Sequence, residues 1–447
     1  MFRRVLVANR GEIAVRVIRA LHELGAEAVA VYSTADKDAT HVRLADDAVR
    51  VGPPAAAESY LNIPSIVAAA VTTGCEAVHP GYGFLSENPA FVEACVANDL
   101  VFVGPPAGVM EKMGDKIAAR SAMRAADVPT VPGTEGATTL EEARAAAAEL
   151  GFPVMLKASS GGGGRGMRLV DEPEELEDAF DAASAEAAAA FGDGTLYVEK
   201  VLVPARHIEV QVICDSYGNV LTLGERECSI QRRHQKLIEE TPSPALSAEL
   251  REEMEAAAER ASASVGYVNA GTFEFLLGPD DRFSFIELNA RLQVEHPVTE
   301  LCTGLDIVRM QIEVAAGERL SVTGRAPRRG HAIEIRLNAE DPTRDFMPAP
   351  GVITRFRPPL GPGVRVDTFV EDGTIVSPYY DSLIAKLVVW DVDRPATIAR
   401  AERALRELVV EGVPTTRELA LEILASDEFR SGVYSTSTLA LLTAAAV

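Results

Sequence analysis

Long apolar runs are missing from this 447-residue sequence: nothing approaches the about 18 consecutive apolar residues that a membrane-crossing helix needs. The opening MFRRVLVANRGE has an apolar run only from Val5 to Ala8, followed at once by charge, and so does not read as a secretory leader. Cysteines are few. Cys75, Cys95, Cys214, Cys228 and Cys302 are scattered, odd in number and free of any CxxC pair, which argues against a disulfide framework or a zinc site and for a reducing cytoplasm. Basic charge is also short, with 43 Lys and Arg against 66 Asp and Glu, a net charge of −23 at pH 7. A general nucleic-acid binder needs basic surface to displace counterions, so that class is set aside. A locally basic pocket would still suit a small anion, and the opening stretch and QRRHQK (231–236) are two basic islands.

What is present fits a globular chain with a substantial core: 47% apolar and 24% charged residues, in a length suited to about three domains. The first hundred residues alternate strand and helix signals. Val5 to Ala8 reads as a buried strand, Ile13, Val17, Ala20, Leu21 and Leu24 recur at helical spacing up to Gly25, and Ala28 to Tyr32 forms the next strand of a parallel βαβ unit. Short strands at 77–78 and 101–103 flank the loop HPGYGFLSENP, where Ser86 is expected to cap a helix with Pro89 in its first turn. The first β-to-α turn, ANRGEIA, has one glycine where a dinucleotide fingerprint needs three, so the scaffold is Rossmann-like without a nicotinamide. A break falls at 104–106, and MGDK (113–116) opens a helix. Alanine-rich helices are predicted near 138–150, 171–191 and 245–265, with strands at 154–157, 167–170, 196–200, 206–214, 219–226, 271–277 and 283–289. GRAPRRG (324–330) reads as a linker, followed by strands at 331–337, 352–357, 364–369 and 383–390 and a helix near 395–411.

Between two of these strands lies KASSGGGGRGMR (157–168). Glycine serves where backbone takes positive φ or comes close to a ligand, and bare N–H groups can form an anion-binding concavity. With Lys157 at the end of the preceding strand, the run reads as a lid over phosphates rather than a surface loop.

Further on, 271–277 and 283–289 read as an antiparallel hairpin. A four-residue loop at 279–282 would pair Gly278 with Phe283, which places Glu274 opposite Glu287, with Asn289 on the same face. Opposed carboxylates among phenylalanines call for a hard divalent cation, Mg²⁺ or Mn²⁺. If the chain stayed extended, Asn289, Arg291, Gln293 and Glu295 would all project to one side. His207, Glu209 and Gln211 form a second polar comb, and Glu334, Arg336 and Asn338 a third; each taken alone reads as the wet face of a strand.

Together with ANRGEIAVRVIRA, HPGYGFLSEN, MGDK, RHIEVQV, ERECSIQRRHQK, AGTFEFL, FIELNARLQVEHPVTE, EIRLNAEDP and YYDSLIAKL, these segments make the chain resemble, nearly end to end, a biotin carboxylase of the acetyl-CoA and acyl-CoA carboxylases. The resemblance implies α/β and α+β architecture: a Rossmann-like N-terminal domain (1–114), an ATP-grasp domain (115–328, lid about 131–203) and a mixed C-terminal domain (329–447). It implies that ATP phosphorylates bicarbonate to carboxyphosphate and that the carboxyl group passes to a ureido nitrogen of biotin. By position, Lys116, Lys157, Gly163, Gly164, Glu199, Lys200, Leu202, His207, Gln231, His234 and Leu276 match nucleotide-binding places, and Glu274, Glu287 and Asn289 the metal places. Lys236, Arg291, Gln293, Val294 and Glu295 match the bicarbonate site, with Glu295 as general base and Arg291 as charge stabiliser, while Arg336 matches the residue facing biotin's ureido oxygen. The resemblance further implies a biotin carboxyl carrier protein or domain and a carboxyltransferase as partners, a homodimer, and service to fatty acid biosynthesis. Alanine at 290 and serine at 160 depart from residues common in the family, without removing a group the mechanism uses. Another ATP-grasp carboxylate–amine ligase would use the same lid, lysines and metal carboxylates; Arg291, Gln293, Glu295 and Arg336 distinguish the two.

Overall fold

A computed structural model describes residues 1–136, 138–159 and 166–445. Its N-terminal part is a five-stranded parallel sheet in the order Asp47–Gly52, Glu27–Ser33, Arg4–Val7, Ala77–His79, Val101–Phe102. The strand from Arg4 is apolar because both faces are covered, and the helix Gly11–Glu23 packs Ile13, Val17, Ile18 and Leu21 against it. Strand Asp47–Gly52 escapes a periodicity reading because it is a half-exposed edge. The helix after HPGYGFLSEN is capped by Asn88, whose Oδ1 accepts from the Phe91 amide at 3.0 Å, not by Ser86, which is buried two residues earlier.

The centre is a nine-stranded sheet. Eight strands run in the order Phe283–Asn289, Asn269–Leu277, Arg206–Cys214, Val220–Arg232, Gln235–Thr241, His331–Asn338, Leu383–Asp391, Val364–Thr368, and the ninth, Gly324–Arg325, lies off this path against Val220–Arg232. Two strands differ from expectation. The one predicted at 219–226 continues to Arg232, and the turn at Arg233 and His234, both at positive φ, returns it as the unpredicted strand Gln235–Thr241. The expected linker is packed: Gly324–Arg325 pairs in parallel with Leu221 and Thr222, and Arg328 reaches Glu225 and Glu255. The predicted strand 352–357 divides into Gly351–Val352 and Arg355–Arg357, which join different partners, and the last long helix stops at Glu407 so that Val409–Glu411 can pair with Arg355–Arg357.

The hairpin register reaches the expected pairing by another route. Gly278 bonds to Arg282, and Leu277, not Gly278, faces Phe283; a bulge at Ile286 then absorbs one residue, so that Glu274 stands opposite Glu287 after all. A separate three-stranded sheet, Met167–Val170, Val154–Ala158 and Leu196–Lys200, carries a small core of its own beneath the helices Leu140–Leu150 and Leu176–Phe191. Among the described residues no helix is long and apolar enough to cross a membrane, and all five cysteines are free and buried.

Candidate active site

Register places four charged residues in one row across adjacent strands: Arg226 opposite Glu209, Glu209 opposite Glu274, Glu274 opposite Glu287. The polar comb of His207, Glu209 and Gln211 is therefore buried, not wet. Three carboxylates side by side demand positive charge. Arg226, fully buried, donates through Nε to Glu209 at 2.5 Å and through its other nitrogens to Gln211, Thr272 and Thr299. Lys236, on the returning strand, donates to Glu209 (2.6 Å), Glu274 (2.9 Å) and Glu295 (2.6 Å). Burial would discharge this lysine, but the three carboxylates hold its pKa well above the ordinary value.

Glu287 is treated differently. Among the described residues its side chain makes no ion pair or hydrogen bond, and burial together with Glu274 pushes its carboxyl upward, with Lys116 pulling the other way. A pair of opposed carboxylates with one member left without a cation is the donor set a hard dication resolves, so Glu274 and Glu287 fit a magnesium or manganese ion. His207 Nε2 lies 3.0 Å from Glu274 Oε2. His207, Glu209 and Glu274 also bring ligand atoms within 4.8 Å of one another, and there Lys236 already supplies the positive charge.

The segment after Asn289 is not an extended strand. It leaves the sheet, turns, and starts the helix His296–Thr303 directly after Glu295. The polar groups of the first comb converge nonetheless. Arg291 donates to Asn289 Oδ1 (2.9 Å), to Gln293 Oε1 (3.1 Å) and to Glu87 (2.9 Å), while Gln293 donates to Glu274 (3.2 Å). Glu87 was not legible as a site residue; it comes from the N-terminal segment, and its other oxygen accepts from the Ala290 amide at 2.8 Å. That contact is made by backbone, so alanine at 290 costs nothing there. The carbonyl of Val294 accepts from Lys386.

Glu295 has both oxygens engaged, Oε1 by Lys236 and Oε2 by Arg336 at 2.9 Å. Burial opposes its charge, yet Lys236, Arg336 and Arg226 hold its carboxyl well below the usual range. Arg336 also donates through Nε to Glu239 at 2.6 Å, and burial pushes Glu239 up to about 7 against that pull. The third comb is thus no wet strand face either: Glu334 is fully buried and Arg336 and Asn338 are half-buried, with Arg336 aimed at the same centre as Lys236.

Of the expected nucleotide places, His207 pairs with Glu274 of the cluster and Lys116 is near enough to Glu287 to draw its carboxyl down. Lys116 begins the helix Lys116–Ala125, and burial lowers its pKa. Glu199 is clamped by Arg120 and, at 2.5 Å, by Lys157. His234 occupies the exposed turn beside Gln231, and Leu276 pairs with His207. Leu202 lies just after the strand ending at Lys200, whose ammonium donates to the Gly151 carbonyl at 2.7 Å. Gly163, Gly164 and Ser160 lie outside the described residues.

Residues 1–110 match the family described as biotin carboxylase, N-terminal domain; residues 115–323 match carbamoyl-phosphate synthase L chain, ATP binding domain; residues 334–441 match the biotin carboxylase C-terminal domain. The chain is 53% identical to the biotin carboxylase of Nostoc sp. over 98% of both chains. The chain belongs to the biotin carboxylase family. It is also 52% identical to a pyruvate carboxylase subunit of Methanothermobacter thermautotrophicus, over 97% of this chain and 88% of that one. The biotin carboxylase domain dimer of Hydrogenobacter thermophilus 2-oxoglutarate carboxylase, solved with MgADP, ADP and bicarbonate, superposes with a TM-score of 0.95 at 47% identity, covering 99% of this chain and 98% of that one. As a biotin carboxylase, this chain is an ATP-dependent ligase of the ATP-grasp kind.

Proposed function

We propose that the chain carboxylates biotin held on a carrier protein or domain, using ATP and bicarbonate, and that its residues divide the two half-reactions between them. The observation that carries this reading is Glu295, gripped at once by Lys236 from the carboxylate row and by Arg336 from the third comb. Lys236, Arg291, Gln293 and the Val294 backbone form the bicarbonate site. With both cations bound to it, Glu295 is a poor base, because they stabilise its charge. Bicarbonate is an anion and competes for those cations, so its arrival raises the proton affinity of Glu295 where a base is needed. Lys116, Lys157, Glu199, Lys200, Leu202, His207, Gln231, His234 and Leu276 hold the nucleotide, and Gly163 and Gly164 are assigned to it by their place in the sequence alone. Glu274, Glu287 and Asn289 hold magnesium or manganese, which when bound neutralises phosphate charge. Arg336 faces the ureido oxygen of biotin, where negative charge develops as the nitrogen becomes a nucleophile.

A carboxyltransferase component and the carrier complete the enzyme, and acyl-CoA preference resides in that partner. Fatty acid biosynthesis is the process we assign, with the chain acting as a homodimer in the cytoplasm.

The test measures phosphate release and carboxybiotin in parallel, with and without free biotin. Glu295→Gln should lose both products. Arg336→Ala should retain slow bicarbonate-dependent ATP hydrolysis and lose carboxybiotin by on the order of 10²-fold or more. If Arg336→Ala abolishes hydrolysis as completely as Glu295→Gln, the division of labour fails.

A further inference from the structure

Directly opposite Arg336, on the neighbouring strand Leu383–Asp391, stands Lys386. It is fully buried. Two cations facing each other across a sheet repel, and they resolve this by turning to different partners. Arg336 goes to Glu239 and to Glu295. Lys386 donates to the carbonyl oxygen of Val294 at 2.9 Å and lies 3.1 Å from Glu12 Oε1, with Asp367 Oδ2 at 3.9 Å. Glu12 belongs to the first helix of the chain and also accepts from the Tyr82 hydroxyl. One ammonium therefore joins three parts of the molecule: the N-terminal helix, the turn leading into Glu295 and the C-terminal strands.

Consecutive residues are thus held by neighbouring cations, Val294 by its carbonyl and Glu295 by its carboxylate. Stability alone gives little reason for this design. A buried ion pair often contributes no more than apolar residues of the same volume, and Val388, two residues on and on the same face as Lys386, belongs to an apolar cluster with Val298 and Ala332, where such a replacement would be natural. The lysine instead supplies a fixed hydrogen bond at the peptide that precedes Glu295.

We propose that Lys386 is a positioning residue for bicarbonate: its ammonium, braced by Glu12, sets the backbone of Val294 and so the placement of Glu295. The inference rests on the bicarbonate assignment given above.

Because Lys386→Met alone would leave Glu12 buried and uncompensated, the decisive protein is the double variant Glu12→Gln/Lys386→Met, which keeps volume and neutrality. Its melting temperature and its KM values for bicarbonate and for ATP are measured in bicarbonate-dependent ATP hydrolysis. The expected result is a folded protein whose KM for bicarbonate rises about tenfold or more, the range for losing a hydrogen bond from a charged donor, while the KM for ATP stays within about twofold, since no nucleotide group is touched. An unchanged bicarbonate KM, equal increases in both KM values, or a double variant that does not fold would each overturn the proposal, the last by assigning Lys386 to the core alone. Failure of the underlying reading is visible separately, as wild-type ATP hydrolysis that does not respond to bicarbonate.

Discussion

Three carboxylates stand side by side in the sheet, and their charges are answered unequally. Glu209 has Arg226 and Lys236, Glu274 has Lys236, and Glu287 has no bonded cation among the described residues. Replacing Glu287 by glutamine removes a repulsion in the metal-free protein and, on the metal assignment proposed above, a ligand in the working one. Glu287→Gln should accordingly melt no lower than wild type in a chelator, yet turn over on the order of 10²-fold more slowly with magnesium; normal turnover at modest magnesium would remove the metal assignment. The pairing of Glu274 with Glu287 was expected from counting back along the hairpin from an assumed turn, and it holds because the bulge at Ile286 offsets the one-residue error in that turn. Glu87 and Lys386 were not legible. Each lies in a segment whose pattern says only loop or buried strand, and each gains its role from a contact more than 90 residues away in sequence, 204 for Glu87 with Arg291 and 92 for Lys386 with Val294.

Among the elements, the helix Lys116–Ala125 ties stability to the proposed nucleotide site. Asp115 caps it, accepting from the Ala118 amide at 2.8 Å, and Lys116 is its first residue. Asp115→Ala should cost about 1 kcal/mol of stability, the usual range for a lost cap, and should raise the KM for ATP more than that for bicarbonate, because Lys116 loses its fixed starting point. A melting curve and two KM measurements decide it. Most strands were legible from their alternation, but Gln235–Thr241 was not. Its sequence, QKLIEET, turns Lys236 and Glu239 toward the charged centre, so neither face presents the simple apolar row that marks a strand. The hairpin shows the converse case: turn chemistry misplaced the pairing by one, and the bulge at Ile286 restored it.

At the scale of the whole molecule, Glu240 links regions far apart in sequence. It pairs with His331 at 2.6 Å and Arg394 at 2.7 Å and accepts from the Tyr434 hydroxyl. Despite burial, His331 and Arg394 bring its pKa down to about 2. A carboxyl whose folded pKa is depressed adds stability that is complete above its ordinary value, about 4.5, and lost as pH falls from there toward 2; the size is on the order of 3 kcal/mol at neutral pH. Glu240→Gln should therefore melt well below wild type at pH 7, with a gap that narrows below pH 4.5. A constant gap would mean that the glutamate acts by shape alone. The composition shift at 324–330 was legible, whereas its packing was not, because a strand's lateral partner leaves no local mark. That partner is consequential: Gln235–Thr241 is hydrogen-bonded to His331–Asn338, so the central sheet passes without interruption from the ATP-grasp segment into the C-terminal one. Anyone building chimeras from related carboxylases inherits a rule from this seam. A crossover at 104–106 cuts no strand pairing but parts Glu87 from Arg291 and Glu12 from Lys386, while a crossover near 328 cuts the sheet and parts Arg336 from Glu295, so at either point the charged partners would have to be re-matched as a set.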